Sequence, residues 1–201
     1  MTRSEQKQLA IIEAAKEEFI QNGFLAANMN NVCTAAGVSK RTLYRYYESK
    51  ERLFEEVLVK IQESVTRTIE YPFDEHKSIE EQLRTVTLRE IDVMYNIYGI
   101  ALSRTIVMEF FRQPELAKSI TQRLYRTRAV NSWFEKALAS GKLAAPDIET
   151  ITNVYVSIFQ GLLFWPQVLG ILPMPNEEER EHQVSIIVNT TLRAFSAESI
   201  K

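Results

Sequence analysis

The 201-residue chain is poor in the side chains that form covalent crosslinks and metal sites. Its one cysteine, Cys33, excludes an internal disulfide and any cysteine cluster for a metal ion. The two histidines, His76 and His182, lie too far apart in sequence to offer ligand spacing, so we expect no metal and no cofactor. The chain also lacks an 18-residue apolar run and a signal peptide, and these absences predict a cytoplasmic protein with no membrane partner.

An enzyme would need parts that this sequence lacks. There is no glycine-rich phosphate loop, and no serine or cysteine carries a local base signature. Catalysis would have to depend on scattered carboxylates, so we expect the protein not to be an enzyme. The composition, 45% hydrophobic and 25% charged, is ordinary for a globular protein, and the length suits one good core plus a small second domain.

Charge is unevenly placed along the chain. The formal net charge is only −2, which argues against general binding to nucleic acid. Between Val38 and Leu53, however, five lysines or arginines stand against two glutamates. Nucleic-acid binding should therefore be local to this stretch.

The stretch from Asn28 to Lys50 has the pattern of two very short helices joined by a tight turn. Asn28 can cap the first helix, and Ala36-Gly37 can close it with a residue that tolerates a positive φ. Ser39 can then cap the second helix, so the pattern predicts a helix-turn-helix. The inward-facing set is Met29, Val32, Cys33 and Ala36 on the first helix, with Leu43 and Tyr47 on the second.

The opposite face of the second helix carries the polar chemistry that a DNA duplex would contact. The major groove of B-DNA admits one helix, and phosphates flank both of its walls. Arg41 can fork onto guanine edges. The alternative is a solvated helix face with ordinary charges. The cap residues, the turn and both helix faces together favour a DNA-binding helix-turn-helix. The groups suited to phosphates are Ser39, Lys40, Tyr44 and Lys50.

The segment from Ile11 to Val57 resembles the DNA-binding domain of TetR-family transcriptional regulators. The matching letters are GF after the first helix, then AGVSK, LYRYY and KERLF. Two positions depart from the family pattern: Arg41 stands where a small residue is usual, which should alter base preference, and Tyr47 stands where Phe is usual. The resemblance implies a recognition helix with Ser39, Lys40, Arg41, Thr42, Tyr44, Arg45 and Tyr46, and backbone anchors at Asn28 and Lys50.

The remainder of the chain is also patterned as helices. An amphipathic helix from Ser4 ends at Gly23-Phe24, and a long helix from Ser49 holds helical period to about Ile69. Capping residues and prolines open further helices near 78, 114, 146 and 176, and no alternating run predicts a strand. We therefore expect an all-α fold of about nine helices. Its predicted domains are a helix-turn-helix domain over 1–48, a connecting helix over 49–71 and an effector-binding and dimerisation domain over 72–201.

The predicted helix from Pro146 to Trp165 is apolar nearly all round, so it must be covered on more than one side. One explanation is a self-complementary interface with the final helix, closing a four-helix bundle across a two-fold axis. The other is burial inside one subunit, and the TetR resemblance favours the dimer. The predicted interface residues are Ile151, Tyr155, Ile158, Leu162, Val184, Ile187 and Val188.

Aromatic and methionine side chains are concentrated in the middle of the second domain, where they could line a pocket or fill the core. The residues leave both readings open, and the TetR resemblance implies an effector cavity. Glu109 could meet a cationic effector, or pair with Arg104, Arg112 or a backbone group. The predicted pocket residues are Met94, Tyr95, Tyr98, Glu109, Phe110, Phe111 and Trp133.

The resulting hypothesis is a dimeric, ligand-responsive transcriptional regulator that acts as a repressor. Its expected partners are a palindromic double-stranded DNA operator, a second copy of the chain, and a small apolar effector that releases the operator. The alternative hypothesis is a constitutive DNA-binding protein with a solid helical second domain.

Overall fold

A computed structural model describes residues 2–68, 70–115, 117–118 and 129–197 of the chain. Over these residues the regular structure is helical, with one isolated antiparallel bridge between Leu143 and Ser196. The predicted all-α fold is therefore confirmed. We number nine α-helices in the described ranges: α1 (Arg3–Ala26), α2 (Met29–Ala35), α3 (Lys40–Tyr46), α4 (Lys50–Thr68), α5 (Ile79–Asp92), α6 (Ile100–Arg112), α7 (Ala129–Ala139), α8 (Ile148–Phe159) and α9 (Glu177–Phe195).

Two helices are extended by π-helical segments that the sequence pattern does not predict. Helix α5 continues through Val93–Tyr98. Helix α8 continues through Gln160–Phe164 into a final α-helical turn, Trp165–Val168. Such wide turns are rare inside α-helices and are frequent at functional sites.

Several helix starts are set by the capping residues that the sequence offers. Asn28, Ser39 and Asp147 each accept a hydrogen bond from a backbone N–H two or three residues later. Asn176 and Glu179 form a complete capping box, with both hydrogen bonds at 2.9 Å. These local bonds satisfy N–H groups that have no partner within the helix, so the caps fix where each helix begins.

Backbone contacts divide the chain into two compact units. The first unit comprises Met1–Val65 and Tyr98–Arg126, and the second comprises Thr66–Ile97 and Thr127–Lys201. Helix α6 belongs to the first unit because it packs along α1. These two units differ from the domain limits that the capping residues and prolines of the sequence predict. Those domain limits stay a prediction.

Three phenylalanines lie at the centre of the first unit. The ring of Phe54 lies edge-on to the rings of Phe19 and Phe24, with centroids 5.0 and 5.1 Å away. Gly23 has φ 68°, a left-handed conformation that interrupts α1 at the predicted position. Phe24 is buried directly after this break. The buried apolar positions of α4 follow helical spacing and are Leu53, Phe54, Val57, Leu58 and Ile61.

The second unit packs α9 against α5 and α8, and α7 against α8. A row of aromatic rings runs through it from Phe73 through Trp133, Phe134 and Tyr155 to Phe159, with successive centroids between 5.3 and 6.2 Å apart. The three middle rings are almost completely inaccessible to solvent. Edge-to-face contacts of this kind add to the stabilisation that comes from burial.

Parts of two predicted helices fall outside the described residues. Ile69, the expected end of the connecting helix, is one such position, and α4 is described as far as Thr68. Much of the predicted helix between Pro114 and Ser140 is another, and α7 ends at Ala139. Where side chains are described, no helix is both long and apolar enough to cross a bilayer, and no cluster of acidic, histidine or cysteine residues could hold a metal ion.

Candidate functional site

Helices α2 and α3 form the predicted helix-turn-helix. At α2, Oδ1 of Asn28 accepts a hydrogen bond from the N–H of Asn30 at 2.9 Å. At α3, Oγ of Ser39 accepts from the N–H of Thr42 at 3.2 Å. Gly37 makes the turn between them with φ 62°, and a side chain there would strain the backbone although space is open around it. Each cap and turn residue thus has the local role that its type predicts.

Helix α3 buries one side and exposes the other. Leu43 is fully buried and Tyr47 is 6% exposed, whereas Tyr44 is 47% exposed. Burial raises the pKa of Tyr47, so its hydroxyl is accommodated in the core as a neutral group. Six of the predicted DNA-binding residues are exposed and three are half-buried. The exposed ones are Asn28, Ser39, Lys40, Arg41, Tyr44 and Arg45, and the half-buried ones are Thr42, Tyr46 and Lys50.

The cations on the exposed side of α3 are not neutralised by any carboxylate that the structure describes. No carboxylate of the described chain lies within ion-pair distance of Lys40, Arg41 or Arg45. By contrast, Arg52 on α4 pairs with a glutamate one turn along. The guanidinium of Arg45 lies 5.4 Å from the centre of the Tyr46 ring, a cation–π contact that restrains it. Helix α3 therefore presents a local positive surface on a chain of negative net charge.

Tyr46 connects the end of α3 to the start of α1. Its hydroxyl lies 2.8 Å from Oγ of Ser4. This hydrogen bond is the main cause that lowers the pKa of Tyr46, and Arg45 contributes in the same direction. Tyr46 therefore has a contact within the protein in addition to its implied place in the recognition helix.

Lys50 is engaged with the protein backbone. Its ammonium group donates to the carbonyl oxygens of Leu25 at 3.0 Å and Ala27 at 3.3 Å. The same nitrogen lies 4.8 Å from the centre of the Phe24 ring. These contacts tie the start of α4 to the end of α1, where carbonyl groups without helical partners attract a cation. The phosphate-anchor role that the resemblance implies for Lys50 stays a prediction.

Glu18 is a buried carboxylate that the sequence motifs do not single out. It is 7% exposed, and its Oε1 accepts a hydrogen bond from the N–H of Asn28 at 2.8 Å. The side-chain amide of Asn31 lies 3.3 Å from Oε1 and 3.2 Å from Oε2. The available signal was spacing, because Glu18 follows Ile11 and Ala15 by seven and three residues on the buried stripe of α1.

The predicted effector residues are divided between the two units. Met94, Tyr95 and Trp133 belong to the second unit, and Tyr98, Glu109, Phe110 and Phe111 belong to the first. A pocket built from all seven is therefore not contained in either unit.

Glu109 is satisfied by neighbours on its own stretch of chain. It is 2% exposed, and its Oε1 lies 3.3 Å from Nη2 of Arg112 and accepts a hydrogen bond from Gln113. The sequence predicts that Glu109 meets a cationic effector or pairs with Arg104, Arg112 or a backbone group, and the structure has the ion pair with Arg112. Phe111 is 80% exposed, Phe110 is half-buried, and the Tyr98 hydroxyl donates to Gln62 at 2.5 Å.

Tyr95 joins the two π-helical segments of the second unit. Its hydroxyl donates a hydrogen bond to the carbonyl oxygen of Leu163 at 2.8 Å. Burial raises the pKa of Tyr95 to about 12, and the positive charge of Arg180 on α9 opposes this rise. Nε of Arg180 and Nε1 of Trp133 are both buried without a hydrogen-bond partner among the described atoms. Polar groups of this kind in a second unit otherwise rich in apolar side chains are unusual and call for an explanation.

Most of the predicted interface residues lie in the core of the chain itself. Helix α8 packs against both α7 and α9, and the ring of Tyr155 on α8 lies against Phe134 on α7. Five of the seven predicted interface residues are buried within the chain itself, as the alternative expects, and the predicted interface stays a prediction. Two others, Ile158 and Leu162, are half-buried, and Ile186 on α9 is 38% exposed. The five core residues, each between 0% and 2% exposed, are Ile151, Tyr155, Val184, Ile187 and Val188.

An exposed apolar loop follows the extension of α8. The carbonyl oxygen of Pro166 accepts hydrogen bonds from the N–H groups of Ile171 at 2.8 Å and Leu172 at 3.2 Å, so the loop is ordered by its own backbone. Exposed apolar side chains concentrated in one loop commonly mark an interaction site. Its side chains, each between 50% and 70% exposed, are Leu169, Ile171, Leu172 and Met174.

Two family models match the chain. Residues 11–57 match the model described as bacterial regulatory proteins, tetR family. Residues 81–197 match the model described as AefR-like transcriptional repressor, C-terminal domain. The first match contains the helix-turn-helix, and the second runs from the first turn of α5 to just beyond the end of α9.

Individual proteins are similar over most of their length. The chain is 26% identical over 151 residues to the HTH-type transcriptional regulator UidR of Escherichia coli (strain K12), with 74% of each protein covered. The solved structure of the flavonoid-responsive regulator FrrA is 30% identical, with a TM-score of 0.73 over 96% of this chain and 98% of that one. A TetR-family regulator from Pseudomonas syringae pv. tomato shares the fold, with a TM-score of 0.78, 24% identity, and coverage of 96% and 98%.

Proposed function

Because the chain belongs to the TetR family of bacterial transcriptional regulators, we propose that it binds a palindromic operator as a homodimer and releases it when a small effector binds. The family and fold are those of regulators and not of enzymes. Repression is the proposed mode, since the C-terminal residues match a repressor domain. The observation that carries DNA binding is the capped helix α3, whose exposed Lys40, Arg41 and Arg45 have no carboxylate partner in the described chain.

The side chains of α3 divide into two kinds of contact. Arg41 carries a planar fork of donors that matches the O6 and N7 acceptors of guanine, so we assign it to base reading. Lys40, Ser39 and Tyr44 offer a compact charge or hydroxyl groups, which suit phosphates. One such helix contacts too few base pairs for specificity. Two helix-turn-helix domains related by a two-fold axis would contact two half-sites of the DNA, spaced by a helical turn or more.

The test is selection of duplexes from a random-sequence library by the purified full-length chain. We expect recovery of a palindromic duplex whose affinity falls steeply with salt, because lysines and arginines displace counterions from phosphates. The Lys40→Ala, Arg41→Ala double variant is the matched control, and it should recover no preferred sequence. Equal binding of the wild type to all sequences would refute operator recognition.

For the dimer, we propose the surface of α8 and α9 that the core leaves uncovered. Ile158, Leu162 and Ile186 supply apolar area on the two helices, and the exposed loop after Pro166 extends it. A surface that is apolar and partly open in a single chain can bury itself against the same surface of a second copy, as two-fold interfaces do.

For the effector, we propose an aromatic molecule with an acidic hydroxyl group, bound beside Tyr95 and Arg180 in the second unit. Three observations support this chemistry. Tyr95 links two π-helical segments, which are frequent at functional sites. Arg180 supplies a cation whose Nε has no partner among the described atoms. The chain is also 30% identical to a regulator whose name describes it as flavonoid-responsive, and flavonoids are hydroxylated aromatics.

The effector is tested by thermal shift with a hydroxylated flavonoid and its fully O-methylated analogue. The hydroxylated compound should raise the melting temperature, because a ligand that binds the native state stabilises it. The methylated analogue should not, and Arg180→Gln should abolish the difference between the two. The selected duplex should then weaken ligand binding by the factor by which the ligand weakens DNA binding, about 5- to 150-fold. Equal ligand affinity with and without the duplex would exclude the compound as an effector.

A constitutive DNA-binding protein is the second proposal. The aromatic row of the second unit supports this proposal. Its rings Trp133, Phe134 and Tyr155 are at most 1% exposed, as expected for side chains packed in a solid core. The satisfied carboxylate of Glu109 also removes one group that a cationic effector would need. A chain that binds the selected duplex tightly, yet is stabilised by no compound in a broad aromatic screen, would favour this function.

A further inference from the structure

Glu18 connects α1 to the first residue of the DNA-binding segment. Its carboxylate is 2.8 Å from the N–H of Asn28, the cap of α2, and 3.2 Å from the side-chain amide of Asn31 one turn further on. No lysine or arginine of the described chain forms an ion pair with Glu18. Among the described residues, the hydrogen bonds to this buried carboxylate come from Asn28 and Asn31, at the start of α2.

Helix α2 needs such a contact because it is short. It has seven residues, and a helix of that length is marginal without tertiary support. A carboxylate at the helix start also interacts favourably with the partial positive charge of that end. Two donors at the first turn of α2, the N–H of its cap and a side-chain amide three residues later, meet one carboxylate, which restrains the rotation of α2 as well as its position.

We propose that Glu18 is a positioning residue for DNA reading. By fixing α2 against α1, it sets the angle at which α3 is presented, because α2 packs on α3 and is joined to it through the turn at Gly37. Glu18 itself touches no base or phosphate in this role. The inference rests on the proposed function, and the duplex selected by the wild-type chain is the probe for both.

Three variants of the full-length chain separate positioning from charge. Glu18→Ala removes the acceptor, and Glu18→Gln keeps an acceptor for the N–H of Asn28 while the Asn31 amide can flip to match it. Glu17→Ala is the control, because it removes the same charge from the adjacent but exposed position of α1. Each variant is measured for folding by circular dichroism, for affinity for the selected duplex, and for amide exchange along α1 and α2.

Glu18→Ala should weaken binding roughly tenfold, in line with the loss of a buried hydrogen-bond acceptor. Glu18→Gln should restore affinity to within about twofold of the wild type, and the control should bind at least as tightly as the wild type. Faster exchange in Glu18→Ala should be confined to α2 and leave the buried amides of α1 unchanged. A uniform increase in exchange would mean lost global stability and would overturn the proposal.

Other outcomes are equally decisive. If Glu18→Ala and Glu18→Gln both bind like Glu17→Ala, charge alone matters and the positioning role is wrong. If Glu18→Ala does not fold, Asn31→Ala carries the test, since Asn31 is exposed and its loss leaves the bond to Asn28. A two- to fivefold weakening then supports the role, and affinity equal to the control overturns it. If the wild type selects no duplex, the proposed function fails and this inference with it, whereas a selected duplex bound normally by Glu18→Ala sinks the inference alone.

Discussion

The hydroxyl of Tyr95 donates a hydrogen bond of 2.8 Å to the carbonyl oxygen of Leu163, and each residue lies in a π-helical segment. The two residues are 68 positions apart in the chain. The bond therefore joins the extension of α5 to the extension of α8. A displacement of either segment, such as one caused by a ligand, would therefore be transmitted to the other segment through this hydrogen bond.

Replacing Tyr95 with Phe should lower the free energy of unfolding at neutral pH by about 1 kcal/mol, the value of one net hydrogen bond. The gap between variant and wild type should narrow above pH 10. The pKa of Tyr95 is raised to about 12 in the folded chain, so the unfolded chain loses its proton first and wild-type stability falls between pH 10 and 12. Urea unfolding at pH 7, 10 and 11 measures the difference in unfolding free energy between the variant and the wild type. Tyr44→Phe, at an exposed position, is the control and should match the wild type throughout.

Replacing Lys50 with Ala should destabilise the chain by about 1–3 kcal/mol, because the carbonyl groups of Leu25 and Ala27 lose a charged donor. Lys40→Ala removes the same charge from an exposed side chain and should change stability by no more than about 0.5 kcal/mol. The same control should reduce the salt dependence of DNA binding by about one phosphate contact. Chemical denaturation and salt titration give the two values. If the Lys50→Ala chain is as stable as the wild type, the hydrogen bonds from Lys50 to Leu25 and Ala27 do not stabilise the fold.

Replacing Arg41 with Ala should cost about 1–3 kcal/mol on the selected duplex and flatten preference at one base pair of each half-site. Arg52→Ala is the matched control, because Arg52 is already paired with Glu55 on α4. Binding to a panel of single-base variants of the duplex measures the preference. Unchanged preference in Arg41→Ala would show that this side chain does not read a base.

Replacing Ile158 or Leu162 with Glu should convert the proposed dimer to folded monomers, because the side chains of Ile158 on α8 and Leu162 on its extension are only half-buried in a single chain. Ile151→Glu should instead unfold the chain, since it places a charge at a fully buried position. Asn153→Glu, on an exposed position of the same helix, should do neither. Sedimentation equilibrium and circular dichroism distinguish the three results. Dimers that persist in both Ile158→Glu and Leu162→Glu would place the interface elsewhere.

The sequence by itself determined the helix-turn-helix and the all-α fold. Caps such as Asn28 and Ser39, and the left-handed glycines Gly23 and Gly37, act through bonds to residues two to four positions away. The alternation of Leu43 and Tyr47 with Tyr44 is likewise a property of one helix. Interactions over such short distances are encoded locally, so their outcome can be predicted without knowing the rest of the fold.

The tertiary structure alone decided what Glu18, Lys50 and Tyr95 do. Their partners are 10, 25 and 68 residues away, and no spacing rule identifies them. It also decided which side of α8 is covered, because a helix that is apolar nearly all round looks the same whether a neighbour in the chain or a second copy covers it. Here neighbouring helices of the same chain bury Ile151 and Tyr155, because α8 packs against both α7 and α9, and the periodicity of one helix cannot express such packing.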